Sequence, residues 1–248
     1  MAVIGVFDSG SGGLSVLREI RKILPEQRFV YFSDNAYCPY GEKTAEFVTG
    51  RSRAVTDLLL SKGASAVVVA CNTATAAAIA TLRSEYDIPF VGMEPAVKPA
   101  ASGTRNGVVG VLATAGTLKA AKYLNIKGQY ADAVRIEERV GKGFVELVES
   151  MDLDSPHAEE VVRASLQPLL DAGADTIVLG CTHYPFLLPL MRRIAPSEVR
   201  FIDPAPAVAR RLADVLGMAG IPASDAEPGV ELLASGPDTT LKQLFTII

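Results

Sequence analysis

The sequence has few cysteines and no excess of positive charge. Its 248 residues include three cysteines, an odd and sparse number that does not form a disulfide framework and favours a reducing, cytoplasmic location. Lys and Arg number 24 against 28 Asp and Glu, which gives a net charge of -4. Without a basic excess or a block of like charges, we expect no direct binding of nucleic acid.

The chain also lacks a long hydrophobic run. Apolar residues make up 49% of the chain and its mean hydropathy is +0.26, which is ordinary for a globular protein. No apolar run approaches the roughly 18 residues of a membrane span. The richest run, residues 64–70, ends at Cys71-Asn72-Thr73. We therefore expect no membrane partner.

Short apolar runs alternate with segments of helical periodicity, a pattern typical of parallel sheets covered by helices. The predicted helices are residues 15–24, 46–62, 158–172 and 208–216. The predicted strands are residues 3–7, 29–32, 66–70, 90–92, 108–112, 176–179, 199–202 and 230–233.

The sequence contains an internal repeat. Residues 59–73 align with residues 169–183 at a shift of 110, with six of fifteen positions identical, including Cys71 and Cys181. Residues 3–9 align with residues 108–114 at a shift of 105. This repeat predicts an α/β protein of two similar doubly wound parallel-sheet domains that face each other with pseudo-twofold symmetry.

The repeat also predicts where each domain lies along the chain. The first predicted domain comprises residues 1–96 plus 208–248 and carries Asp8 and Cys71, while residues 97–207 form the second and carry Cys181 and His183.

The two aligned cysteines are the strongest candidates for chemistry. Each closes a predicted strand, where ligands bind in open parallel sheets. Cys71 also precedes a helix, whose N-terminus favours the thiolate form. A small buried hydrophobe is the alternative for either residue alone, but packing does not explain two cysteines at equivalent strand ends. His183 lies two residues after Cys181 and could exchange a proton with that thiol or with a substrate.

The other polar signals are weaker. The segment from Asp8 to Gly13 suits an anion at a helix N-terminus, although its spacing fits no nucleotide-binding motif and a simple turn is equally compatible. Cys38 lies in a loop near the predicted site. A zinc site from Cys38, Cys71, Cys181 and His183 lacks a supporting Cys-x-x-Cys pair, so no metal is expected. His157 marks a helix start with Ser155 as its cap.

Two acid/base groups on opposite walls of a cleft can invert a stereocentre. One group removes a proton from one face of a carbon while the other delivers a proton to the opposite face. A thiol suits both roles because its reference pKa of about 8.5 makes both protonation states accessible near neutrality. The sequence has no signature for pyridoxal phosphate, flavin or nicotinamide. We therefore expect a reaction without a cofactor.

At this level of detail the chain resembles the bacterial glutamate racemases of the aspartate/glutamate racemase superfamily along nearly its whole length. The motifs that carry the resemblance are Gly5-Val6-Phe7-Asp8-Ser9-Gly10, Cys38-Pro39-Tyr40-Gly41, Ala70-Cys71-Asn72-Thr73-Ala74-Thr75, Gly110-Val111-Leu112-Ala113-Thr114-Ala115-Gly116-Thr117 and Leu179-Gly180-Cys181-Thr182-His183-Tyr184-Pro185.

The resemblance implies cofactor-independent interconversion of L- and D-glutamate that supplies peptidoglycan synthesis. It implies Cys71 and Cys181 as the two bases, assisted by Asp8 and His183, and Glu149 as an acid near the histidine. The implied substrate contacts are Asp8, Ser9, Tyr40, Gly41, Asn72, Thr73, Thr114, Thr182 and His183. Family members often have Cys-Pro where this chain has Val140-Gly141.

Several alternatives stay open. An aspartate racemase would use the same machinery, but Thr75 favours glutamate because aspartate relatives resemble Cys-Asn-Thr-x-His at this motif. A non-catalytic binding protein would use the same cleft, although the two cysteines and His183 argue against binding alone. The resemblance also leaves open a homodimer and an interaction with gyrase.

Overall fold

The computed structural model describes residues 2–223 and 227–248. The chain divides into two compact units, one formed by Met1–Met93 with Ala205–Ile248 and the other by Glu94–Pro204. Among the helices of the described residues, none combines the length and the apolar character needed to cross a membrane.

The first unit contains a five-stranded, all-parallel sheet in the order β4-β3-β1-β2-β9. Its strands are β1 (Val3–Asp8), β2 (Arg28–Ser33), β3 (Ala64–Val69), β4 (Phe90–Gly92) and β9 (Gly229–Ala234). Its helices are α1 (Leu14–Ile23), α2 (Ala45–Ser61), α3 (Asn72–Glu85), α10 (Ala205–Met218) and α11 (Thr239–Phe245).

Both faces of the central strands in this unit are buried. Val3 and Phe7 of β1 belong to a core cluster with apolar residues of α2 and α3. The intervening residues Ile4 and Val6 are also fully buried. Burial on both faces explains why β1 is a continuous apolar run rather than an alternating one.

The second unit contains a four-stranded, all-parallel sheet in the order β6-β5-β7-β8. Its strands are β5 (Val108–Ala113), β6 (Arg135–Val140), β7 (Thr176–Gly180) and β8 (Arg200–Ile202). Its helices are α4 (Val97–Gly103), α5 (Ala115–Lys119), α6 (Ala121–Gln129), α7 (Phe144–Glu149), α8 (Pro156–Asp171) and α9 (Leu188–Ile194).

The two sheets repeat the same pairing, which confirms the predicted pair of doubly wound α/β folds. Ile4 pairs with Ala66 in the first sheet, and the aligned residues Val109 and Thr176 pair in the second. Both sheets also share the inner strand order, since β4-β3-β1-β2 corresponds to β8-β7-β5-β6.

Two local features show where sequence patterns succeed and where they do not. Ser155 caps α8 by accepting a hydrogen bond from the Ala158 N–H, with Pro156 in the first turn, as predicted. Strand β6 was not predicted. Its sequence, Arg-Ile-Glu-Glu-Arg-Val, is half-exposed at the sheet edge and lacks the apolar run of a buried strand.

Candidate functional site

The loop after β1 donates a backbone hydrogen bond to the carboxylate of Asp8, the last residue of that strand. This side chain is fully buried, and its Oδ2 accepts a hydrogen bond from the Gly13 N–H at 2.8 Å. A Cβ atom at position 13 would lie 2.7 Å from the Asp8 Cβ and 2.8 Å from the Tyr31 hydroxyl. Glycine is therefore required for this close approach, and the loop is more specialised than a simple turn.

Cys71 caps the N-terminus of α3. Its Sγ accepts a hydrogen bond from the Ala74 N–H at 3.4 Å and lies 3.7 Å from the Ser9 Oγ, to which the thiol can donate. The thiol is buried. A helix N-terminus with a backbone donor favours the negative charge of a thiolate. The structure thus places an ionisable thiol beside the loop that follows β1, because β1 and β3 are neighbours in the sheet.

Asn72 and Thr73 begin α3 and are both buried. Among the described residues, neither polar atom of the Asn72 side-chain amide has a hydrogen-bond partner. Leaving a buried amide unsatisfied costs about 1–3 kcal/mol for each lost partner. An amide in this state is suited to receive a polar ligand group.

Tyr40 and Gly41 lie in the loop that follows β2. The Tyr40 hydroxyl is buried and donates a hydrogen bond to the Asp34 carboxylate. Burial raises the pKa of Tyr40 far above its ordinary value, and the hydrogen bond to Asp34 raises this pKa further. Tyr40 belongs to the same core cluster as Cys71. Cys38 is half-buried in this loop.

In the second unit, Cys181, His183 and Glu149 form a hydrogen-bonded series. The His183 Nε2 lies 2.7 Å from the Glu149 Oε1, and its Nδ1 lies 3.8 Å from the Cys181 Sγ. Cys181 and His183 are buried, and Thr182 Oγ1 lies 3.5 Å from the same Nδ1. A carboxylate on one ring nitrogen orients the imidazole and leaves the other nitrogen facing the thiol.

Thr114 caps α5 at the end of β5. Its Oγ1 accepts a hydrogen bond from the Thr117 N–H at 3.2 Å and lies 3.0 Å from the Thr117 Oγ1. Because β5 and β7 are neighbours, Thr114 follows the strand beside the one that Cys181 follows. Sequence reasoning did not single out Thr117, although its spacing of three from a capping threonine is a recognisable signal.

Each unit brings together its own share of the predicted residues. In the first unit, the residues at the ends of β1 and β3 and in the β2 loop are Asp8, Ser9, Tyr40, Gly41, Asn72, Cys71 and Thr73. In the second unit, Thr114, Cys181, Thr182 and His183 follow adjacent strands, and Glu149 reaches His183 from the end of α7.

The unusual Val140-Gly141 pair has a packing explanation. A Cβ atom at position 141 would lie 2.6 Å from the Tyr184 hydroxyl oxygen and 2.8 Å from the Phe144 ring. The Tyr184 hydroxyl donates to the Gly141 carbonyl at 3.4 Å, and the Tyr184 and Phe144 rings pack edge to face at 4.9 Å. Glycine here makes room for a tyrosine that directly follows His183.

We expect Gly141→Ala to destabilise the fold by about 1–3 kcal/mol because the new methyl group overpacks two buried rings. Urea unfolding measures this free energy. The control is Gly50→Ala, an exposed position within α2 where a Cβ meets no atom within 4 Å. This control should gain about 0.5–1 kcal/mol of stability. Equal stability of the two variants would contradict the packing explanation.

Comparison with known proteins identifies the family to which the chain is related. A family model described as Asp/Glu/Hydantoin racemase matches residues 4–212. The chain belongs to this racemase family. A glutamate racemase of Ectopseudomonas mendocina is 50% identical over 248 residues, which is 100% of this chain and 94% of that protein.

Solved structures agree with this racemase assignment. Escherichia coli glutamate racemase, in a complex with L-glutamate and the activator UDP-MurNAc-ala, has a TM-score of 0.88 and 36% identity over 99% of this chain and 94% of that one. A glutamate racemase isoform from Bacillus anthracis has a TM-score of 0.85 and 32% identity, covering 98% and 92% respectively.

Proposed function

We propose that this chain interconverts L-glutamate and D-glutamate without a cofactor, with Cys71 and Cys181 as its two acid/base groups. One observation carries this proposal. Each of two related strand ends presents a buried cysteine with its own polar partners, Ser9 and a helix N-terminus for Cys71, and the His183–Glu149 pair for Cys181. Glutamate is the substrate of the relatives that match nearly the whole chain.

The proposed reaction moves one proton off the α-carbon and another onto its opposite face. In one direction, the thiolate of one cysteine removes the α-proton, and the thiol of the other cysteine donates its proton to the resulting carbanion. In the reverse direction the two cysteines exchange roles. The mechanism requires both sulfur atoms to reach the same α-carbon.

The remaining site residues bind the substrate or assist proton transfer. Asp8 contacts the ammonium group of the substrate or holds a proton near Cys71. His183, which Glu149 orients, accepts the Cys181 proton or returns it. The unsatisfied Asn72 amide suits a substrate carboxylate. The other proposed substrate contacts are Ser9, Tyr40, Gly41, Thr73, Thr114 and Thr182. The D-glutamate product would supply peptidoglycan synthesis.

Aspartate is the alternative candidate for the substrate. Thr75, the residue that favours glutamate, donates to the Val69 carbonyl at 3.1 Å and accepts from the Met93 N–H at 2.9 Å. It therefore joins the start of α3 to the ends of β3 and β4. Turnover of each amino acid, measured side by side, decides between the two substrates.

The decisive experiment is turnover of L-glutamate in heavy water by enzyme dialysed against chelator. Chiral separation with mass spectrometry should find D-glutamate carrying deuterium at the α-carbon, while the remaining L-glutamate carries almost none. This pattern is expected because the second thiol delivers a solvent-derived deuteron while the first retains the substrate proton. Equal early labelling of substrate and product would instead indicate a single base. Absence of racemisation would reject the proposed activity.

A further inference from the structure

A buried charged network lies behind the Tyr40 loop. The Asp34 carboxylate is completely buried, and it accepts hydrogen bonds from the Nε and Nη2 of Arg51, both at 2.8 Å. The same carboxylate accepts the Tyr40 hydroxyl. A buried carboxylate needs such partners, because an unpaired charge in the interior is strongly destabilising.

This network connects several elements of the first unit. The Asp34 N–H donates to the Asp8 carbonyl at 3.0 Å, which joins the start of the loop to the end of β1. Arg51 projects from α2, and its guanidinium carbon lies 4.1 Å from the centre of the Tyr37 ring. The loop is thus held both at its first residue and near Tyr40.

In the second unit, the residue equivalent to Asp34 also anchors a tyrosine, but it does so through its backbone carbonyl. Ser33 is the last residue of β2 and Val140 the last residue of β6, and these strands pair in the same register with β1 and β5. Asp34 therefore corresponds to Gly141, whose carbonyl accepts the Tyr184 hydroxyl. In the first unit this anchor includes an ion pair between Asp34 and Arg51, so the position of Tyr40 depends on two charges.

We propose that Asp34 and Arg51 are positioning residues that hold the Tyr40–Gly41 turn beside Cys71. This inference rests on the proposed function, in which the turn contacts substrate and Cys71 transfers a proton. Neither Asp34 nor Arg51 touches substrate in this scheme. They act through the Tyr40 hydroxyl.

The test uses Asp34→Asn and Arg51→Gln with Arg53→Gln as the matched control. Arg53 lies on the same helix and also forms a two-point ion pair, with Glu85 at 2.7 Å for each contact, but this pair is on the surface. We expect the network variants to raise KM for both glutamate enantiomers about tenfold, with a smaller change in kcat. The control should leave KM unchanged. A purely structural loss would lower the active fraction, and hence kcat, without raising KM.

A second readout does not depend on racemase activity. Iodoacetamide labelling, followed by peptide mass spectrometry, gives separate alkylation rates for Cys71 and Cys181. A displaced Tyr40 should uncover Cys71 and accelerate its labelling several-fold, while Cys181 in the other unit keeps its rate. If the wild type proves not to racemise glutamate, this difference still tests the network.

Two milder variants keep the test decisive if the first two fold poorly. Tyr40→Phe retains the ion pair and removes only the hydroxyl, so it should reproduce the KM and Cys71 labelling changes. Arg51→Lys retains a charge and should restore part of the wild-type KM. Wild-type KM and labelling in Asp34→Asn or Tyr40→Phe would overturn the inference. Equal acceleration at both cysteines would also overturn it, because that result indicates general loosening.

Discussion

Replacing either Cys71 or Cys181 with serine is expected to lower kcat for glutamate racemisation by roughly 10²–10⁴ in both directions, the range typical of a lost general acid/base. A serine hydroxyl has a pKa far above neutrality, so it supplies no useful base at the α-carbon. Inversion uses both groups in every turnover, one as base and one as acid. Each single variant should therefore fail in both directions.

Cys38→Ser is the matched control for this experiment, since Cys38 is the third free cysteine and has no aligned partner in the second half of the chain. It should retain activity within about an order of magnitude, because no proton transfer is assigned to it. Thermal unfolding of all three variants checks that the fold persists. A variant of Cys71 or Cys181 that racemises at the wild-type rate would remove that residue from the mechanism.

The internal repeat allowed much of the fold to be predicted. Aligning residues 59–73 with 169–183 places Cys71 and Cys181 after equivalent strands, and the pairing of Ile4 with Ala66 and of Val109 with Thr176 confirms that equivalence. Strand β6 was not predicted because it lies at the edge of the sheet and pairs with one strand only. Its charged side chains are half-exposed, so the sequence shows no apolar run there.

Residues that act through distant partners were the hardest to predict. In the sequence, Asp34 looks like an exposed acidic residue of a loop. Its burial depends on an ion pair with Arg51, which lies on a later helix, and no sequence pattern predicts that contact. The Glu149–His183 hydrogen bond likewise joins residues from separate elements. The resemblance pointed to Glu149, whereas no local spacing in the sequence predicts this contact.

The proposed mechanism assigns a different helper residue to each thiol, and this leads to a prediction about direction. His183→Asn removes the imidazole that faces Cys181, while Asp8→Asn neutralises the carboxylate at the end of β1, next to the strand that Cys71 follows. Each variant should lower kcat by roughly 10²-fold or more, and unequally for the two enantiomers. The values of kcat/KM must stay equal in both directions, because enantiomers have equal free energies and the Haldane relation fixes their ratio.

The primary isotope effect with α-deuterated substrate identifies which proton transfer each helper serves. In His183→Asn the effect should rise for the enantiomer whose α-proton is taken by Cys181, and in Asp8→Asn it should rise for the other enantiomer. Glu149→Gln keeps the imidazole but loses the charge that orients it, so it should affect the same enantiomer as His183→Asn, to a smaller extent. If the three variants all affected the same enantiomer, the separate assignment of helpers to the two thiols would be wrong, even with both cysteines proved essential.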